Sequence, residues 1–205
     1  MNNIIKFSYI QKILQRDYAM NDIKKERMLE IEDIVSKLLS DINFEKSPYV
    51  DIVSLVKKNK FEVSTELMDI DTTGYLVVND DKENFERNIT VNTIFKNPDN
   101  ELDVVFKKSR FITAHEYGHF ILHKKSGHPF YAHRDTDHRT EPMELEADYF
   151  ARAILMPLKQ FKLYNTVLDD LSNGDIDFIN STLSELFKVT RNKVKKRKED
   201  ILVLN

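Results

Sequence analysis

The stretch His115-Glu116-Tyr117-Gly118-His119 constrains this chain more tightly than any other feature of its 205 residues. Residues four apart on a helix lie on one face, one above the other. A helix here would therefore carry two imidazoles to a common point, with the Glu116 carboxylate beside them. That arrangement is half of a catalytic zinc site. It demands a helix through the motif and a third ligand from elsewhere in the chain.

The segment from Ser109 to Lys125 meets the first demand. Phe111, Ala114, Gly118, Ile121 and Leu122 fall near the 3.6-residue period, and Lys124, Lys125 and Gly127 suit a helix C-terminus. Gly118 costs about 1 kcal/mol of helix propensity relative to Ala, which points to close packing at that position rather than to a helix end.

The third ligand is sought in a second helix. Thr140-Glu141-Pro142 has the composition of a helix start, and Met143, Ala147, Phe150, Ala151 and Ile154 recur at helical spacing until Pro157. The other face carries Glu144 and, one turn on, Asp148. A catalytic zinc takes three protein ligands and a water, and a neighbouring carboxylate orients a ligand imidazole. Glu144 is read as the ligand and Asp148 as the orienting group. Glu146 is the competing ligand, although it lies about 200° away around the helix. The alternative for Asp148 is a surface pair with Arg152 at i+4.

Two motifs in this order, R-F-x-x-A-H-E-Y-G-H-x-x-L-H from Arg110 to His123 and E-x-E-A-D-x-F-A-x-x-I-L-M-P from Glu144 to Pro157, resemble the ImmA/IrrE family of zincin-like metallopeptidases. The resemblance covers about Phe61 to Pro157. It implies a gluzincin-type site, with zinc on His115, His119 and Glu144 and with Glu116 catalytic. It also implies a cytoplasmic protein encoded beside a helix-turn-helix repressor, which some members cleave. Members commonly have Asn where this chain has Asp148.

Composition narrows the alternatives. No segment approaches a membrane span, and the start lacks the pattern of a signal peptide, so the chain is expected in the cytoplasm with no membrane contact. With no cysteine, any bound zinc must use imidazole and carboxylate. A net charge of −3 gives no global reason to bind nucleic acid.

Three segments are expected: an N-terminal helical extension over 1–45, a zincin-like metallopeptidase domain over 46–165, and a C-terminal helical segment over 166–205. Apolar spacing from Ile4 to Asn43 suggests two helices, and Val50 to Lys58 a short one. Phe61-Glu62-Val63, Tyr75 to Val78, Ile89 to Val91 and Asp103 to Phe106 read as strands of a small antiparallel sheet. The fold class is α+β, with sheet, motif helix and ligand helix in the zincin order by analogy.

In such a site zinc lowers the pKa of its bound water to about 7, and Glu116 takes the proton as water attacks a peptide carbonyl. Candidates for a second electrophile or substrate contact are Tyr149, Tyr131, His128, His133 and His138, against the simpler reading that loop histidines are solvated. His123 lies about 12 Å along the axis from His115 and is read as a cap or packing residue. Arg110 is read as a helix anchor. An extended substrate would pair with an edge strand, at Ile89 to Asn92 or Val104 to Lys107.

Leu183 to Val194 has the pattern of helix, tight turn at Lys188 to Thr190, and helix, as in helix-turn-helix DNA readers. The second helix is basic, with Arg191, Lys193, Lys195, Lys196, Arg197 and Lys198. It offers weak DNA contact, or else packs on the peptidase core with its charges in solvent. Two functions follow. One is a zinc endopeptidase that regulates transcription by limited cleavage of a helix-turn-helix repressor. The other is a zinc-containing regulator that binds DNA or a partner without robust peptidase activity.

Overall fold

The computed structural model describes residues 23–40, 47–69, 71–93, 102–125, 130–135 and 141–205. Of the two helices expected before Asn43, the first lies outside these residues. The second is α1, Lys25–Leu39, which buries Met28, Ile31, Val35 and Leu39 along one stripe. Helix α2, Ile52–Lys58, begins at Asp51, whose carboxylate accepts the Ser54 backbone N–H and closes the first turn. Lys60, at φ 64°, then turns the chain into the sheet.

Strands β1 (Glu62–Glu66), β2 (Thr72–Asn79), β3 (Glu86–Asn92) and β4 (Phe130–Asp135) form one sheet in the order β1-β3-β2-β4. The expected antiparallel sheet is in fact mixed. β2 runs antiparallel to both β3 and β4, but β1 pairs in parallel with β3, from Glu62 opposite Asn88 to Glu66 opposite Asn92. The β2–β3 hairpin is responsible: its second strand returns between β1 and β2, in the same direction as β1. Leu76 and Val78 of β2 and Ile89 and Val91 of β3 are buried.

Helix α3, Leu102–His123, is longer than expected and absorbs the strand foreseen at Asp103 to Phe106. A short apolar run has no period of its own to separate strand from helix. Here Asp103 reaches Lys107 one turn on at 2.5 Å, a pairing that helical spacing provides, and Lys107 also meets Glu185. The expected substrate edges fall with this assignment, because β3 is an inner strand and Val104 to Lys107 is helical.

Helix α4, Pro142–Leu155, starts with proline in its first turn, as foreseen, and buries Ala147, Phe150, Ala151 and Ile154. Met143 does not join them and is 43% exposed. Three more helices follow: α5 (Leu158–Ser172), α6 (Ile176–Phe187) and α7 (Arg191–Leu204). Lys188, in the left-handed conformation, ends α6, and Thr190, in extended conformation, immediately precedes α7, so the expected turn is where the sequence placed it. Where they are described, the three expected segments share one hydrophobic core, with Ile31 of α1 and Val194 and Ile201 of α7 in the same cluster as the sheet. No described helix is long and apolar enough to cross a membrane.

Candidate metal centre

His115, His119 and Glu144 bring one ligand atom each to a point where all three lie within 4.8 Å of one another. The Nε2 atoms of the two imidazoles are 3.0 Å apart. Glu144 approaches His115 Nε2 at 3.2 Å and His119 Nε2 at 2.9 Å. The helical repeat stacks the two histidines on α3, and α4 lays Glu144 across them. All three residues are buried.

The Nδ1 side of His115 decides what its Nε2 can do. Nδ1 lies 2.9 Å from Asp148 Oδ1, one helical turn beyond Glu144 on α4. An ionised carboxylate only accepts, so Nδ1 carries the proton and donates, leaving Nε2 as the nitrogen a metal would take. Burial alone would raise the Glu144 carboxyl, but hydrogen bonds and charge from the facing imidazoles outweigh it and hold it down to about 2, so a bound cation would displace protons from their Nε2 atoms. Imidazole nitrogen and charged carboxylate thus converge in a buried site. This donor set suits a divalent cation, and with two imidazoles and one carboxylate it matches the ligand type of catalytic zinc.

Asp148 thus contacts His115, the imidazole it is read as orienting. Arg152, its possible surface partner, instead pairs with Asp200 of α7 at 2.6 Å in the interior. Glu146, the competing ligand, lies off the metal point and meets His123 Nε2 at 3.2 Å and Arg27 of α1 at 2.7 Å. His123 in turn contacts His119, with the two Nδ1 atoms 3.2 Å apart, so it is more than a cap.

Glu116 is fully buried on the helix that carries both histidines. β2 comes so close to α3 here that a Cβ added to Gly74 would lie 2.7 Å from Ile112 Cγ2, 2.8 Å from the Thr90 carbonyl oxygen and 3.6 Å from Glu116 Oε1. Gly118 performs the same service between helices: a Cβ there would lie 2.9 Å from the Phe150 ring. The close packing inferred for Gly118 is thus the α3–α4 contact that sets Glu144 against the histidines.

Arg110 anchors α3, as expected, but through carbonyls rather than carboxylates. Its guanidinium donates to the Phe187 and Lys188 carbonyls at the end of α6, at 3.0 and 2.8 Å, and to that of Val50 at 2.5 Å.

Tyr149 is not at the metal point. Five positions beyond Glu144, it is carried to another side of α4, and its buried hydroxyl donates to Glu32 of α1 at 2.7 Å. His133 lies on β4, paired across the ladder with Tyr75, and Tyr131 on the same strand pairs with Val77. His128 and His138 lie outside the described residues.

The basic helix is also less available than its sequence suggests. Arg197 is fully buried, paired with Glu32 and donating to the Met156 carbonyl at 3.0 Å. Lys193 faces the Phe111 ring, 3.5 Å from its centroid, and Asp148 Oδ2 at 3.5 Å. Sequence reasoning missed these roles, because a run of six basic residues looks uniform until the helix is docked.

No curated protein matches the chain significantly. Residues 107–199, from the second turn of α3 to the last turns of α7, match the protein-family model described as the IrrE N-terminal-like domain, Peptidase_M78. That stretch holds both histidines of the motif, Glu144 and Asp148, in the positions from which the resemblance was drawn. This match supports assigning residues 107–199 to the ImmA/IrrE family.

Proposed function

We propose that this protein is a zinc-dependent endopeptidase of gluzincin type that relieves repression by limited cleavage of a helix-turn-helix repressor. The observation that carries the reading is the convergence of His115, His119 and Glu144 on one buried point, with Glu116 on the same helix. A zinc ion held there would supply a Lewis acid and a water acidic enough to be deprotonated near neutral pH. Glu116 would take that proton on its carboxylate and pass it to the leaving amine nitrogen. Asp148 keeps the His115 proton on Nδ1 throughout.

The substrate would lie extended along β4, an edge strand whose only partner among the described residues is β2. His133 on that strand stays a candidate contact, as do His128 and His138 before and after it. Main-chain pairing gives affinity without much sequence preference, so selectivity must come from a docked partner surface. Regulation in the cytoplasm, next to the gene for the repressor, fits this need.

The rival regulator reading needs cations for DNA, and the burial of Arg197 and the inward contacts of Lys193 weaken it. Incubation with the repressor encoded beside its gene is expected to give one or a few cuts in that repressor and little hydrolysis of casein. Efficient casein digestion with no preference for the repressor would overturn the proposal.

A further inference from the structure

We infer that Lys193, the third residue of α7, is a positioning residue of the metal centre that holds Asp148 against His115. The inference rests on the metal reading of the site given above. It starts from a junction of three helices. The Lys193 ammonium lies 3.5 Å from Asp148 Oδ2 on α4 and 3.5 Å from the centroid of the Phe111 ring on α3. Phe111 precedes His115 by one helical turn, and Asp148 follows Glu144 by one. Lys193 therefore touches, on each of the two ligand helices, a residue one turn away from a ligand.

Asp148 divides its two oxygens. Oδ1 lies 2.9 Å from His115 Nδ1, and Oδ2 faces Lys193. The terminal torsion of an aspartate is broad, and this side chain is 29% exposed, so on its own it can swing toward water and give up the imidazole. A cation fixed beside the second oxygen opposes that rotation. Phe111 is buried, and the attraction of the ammonium to its ring face fixes the cation on α3. Lys193 thus ties the orientation of the carboxylate to the helix that carries the imidazole.

The backbone that carries Lys193 is itself held. Val194, next to it, lies in the core. Arg197, one turn on and on the same side of α7, is fully buried, paired with Glu32 of α1 and donating to the Met156 carbonyl. Before the turn into α7, the Phe187 and Lys188 carbonyls accept from Arg110 of α3. The start of α7 is therefore set against α3 from both sides. This gives the C-terminal helix a part in the metal centre, although His115, His119 and Glu144 all lie on other helices.

Zinc affinity of the full chain, measured by competition with a chromogenic chelator, tests this. Lys193→Met and Lys193→Gln each remove the charge and keep a stem. Each is expected to weaken zinc binding by about three- to tenfold, less than the ten- to hundredfold scale of a direct outer partner such as Asp148. Lys193→Arg, whose guanidinium also pairs with carboxylates and stacks on rings, is expected to stay within about twofold of the parent. A general loosening of the fold would act whatever residue stands at position 148. Lys193→Met is therefore also made in the Asp148→Ala background, where it is expected to change zinc affinity by less than about twofold, because the group it places is gone. In the metal-free parent, proton NMR is expected to show the His115 Nδ1 proton protected from exchange with water.

Parental or tighter zinc binding in the neutral variants, or an equal loss in the Asp148→Ala background, would overturn the role of Lys193. Zinc binding by the parent and its loss in His119→Ala would then keep the metal reading intact. A parent that binds no zinc would remove both. Should the neutral variants fail to fold, fast exchange of the His115 Nδ1 proton in the parent would still overturn the inference.

Discussion

Arg197 of α7 is fully buried, and Glu32 of α1 holds its guanidinium at 2.6 and 3.1 Å. The Tyr149 hydroxyl donates to the same carboxylate, so one acidic side chain serves three helices. Removing Glu32 would leave a buried charge without its partner. Glu32→Ala is expected to destabilise the fold by about 3–5 kcal/mol, read by denaturant unfolding. Glu32→Ala with Arg197→Met should recover a large part of that loss, since an apolar side chain leaves no charge unpaired. Equal instability of the single and double variants would contradict this account.

Asp51 caps α2, and its carboxyl is held below 3.8, first by the Ser54 hydroxyl and then by the Ser54 backbone N–H. Asp51→Ala is expected to cost about 1 kcal/mol at neutral pH. A group whose pKa is depressed on folding contributes stability above its unfolded pKa and loses it as pH falls through the folded value. The difference between parent and variant should therefore shrink below pH 3.8. Unfolding midpoints across the acid range check it, and a constant difference would show that the charge has no part in the cap.

Much of this arrangement was legible in the sequence. The motif, the Pro142 start of the ligand helix and the turn at Lys188 are set by local rules of spacing and capping, and they lie where those rules place them. What was not legible depends on tertiary contact. The Asp103 to Phe106 run could be strand or helix until Lys107 supplied partners. β4 falls in a polar stretch that reads as a loop, and its pairing with β2 makes it a strand. The Arg27–Glu146 pair joins side chains 119 positions apart, a pairing that no local pattern announces.

The charges of α7 set its capacity for DNA. Arg197 is inaccessible, and the remaining outward cations include Lys195, which is exposed, and Lys196, which is paired with Glu199 at 3.1 Å. Neutralising Lys195 and Lys196 is therefore expected to leave repressor cleavage unchanged. Any duplex DNA binding by the parent should be weak and should fall steeply with salt. Fluorescence anisotropy at low and physiological salt checks this. Tight, salt-insensitive binding would favour the regulator reading.

The most direct test of the account is cleavage of the neighbouring repressor by zinc-loaded Glu116→Gln. The substitution leaves His115, His119 and Glu144 in place, so elemental analysis should show about one zinc per chain, as in the parent. Cleavage should fall by about a hundredfold or more, the scale of a lost general base. Full zinc occupancy with cleavage at the parental rate would contradict the account, because the proton would then have to pass through some other group.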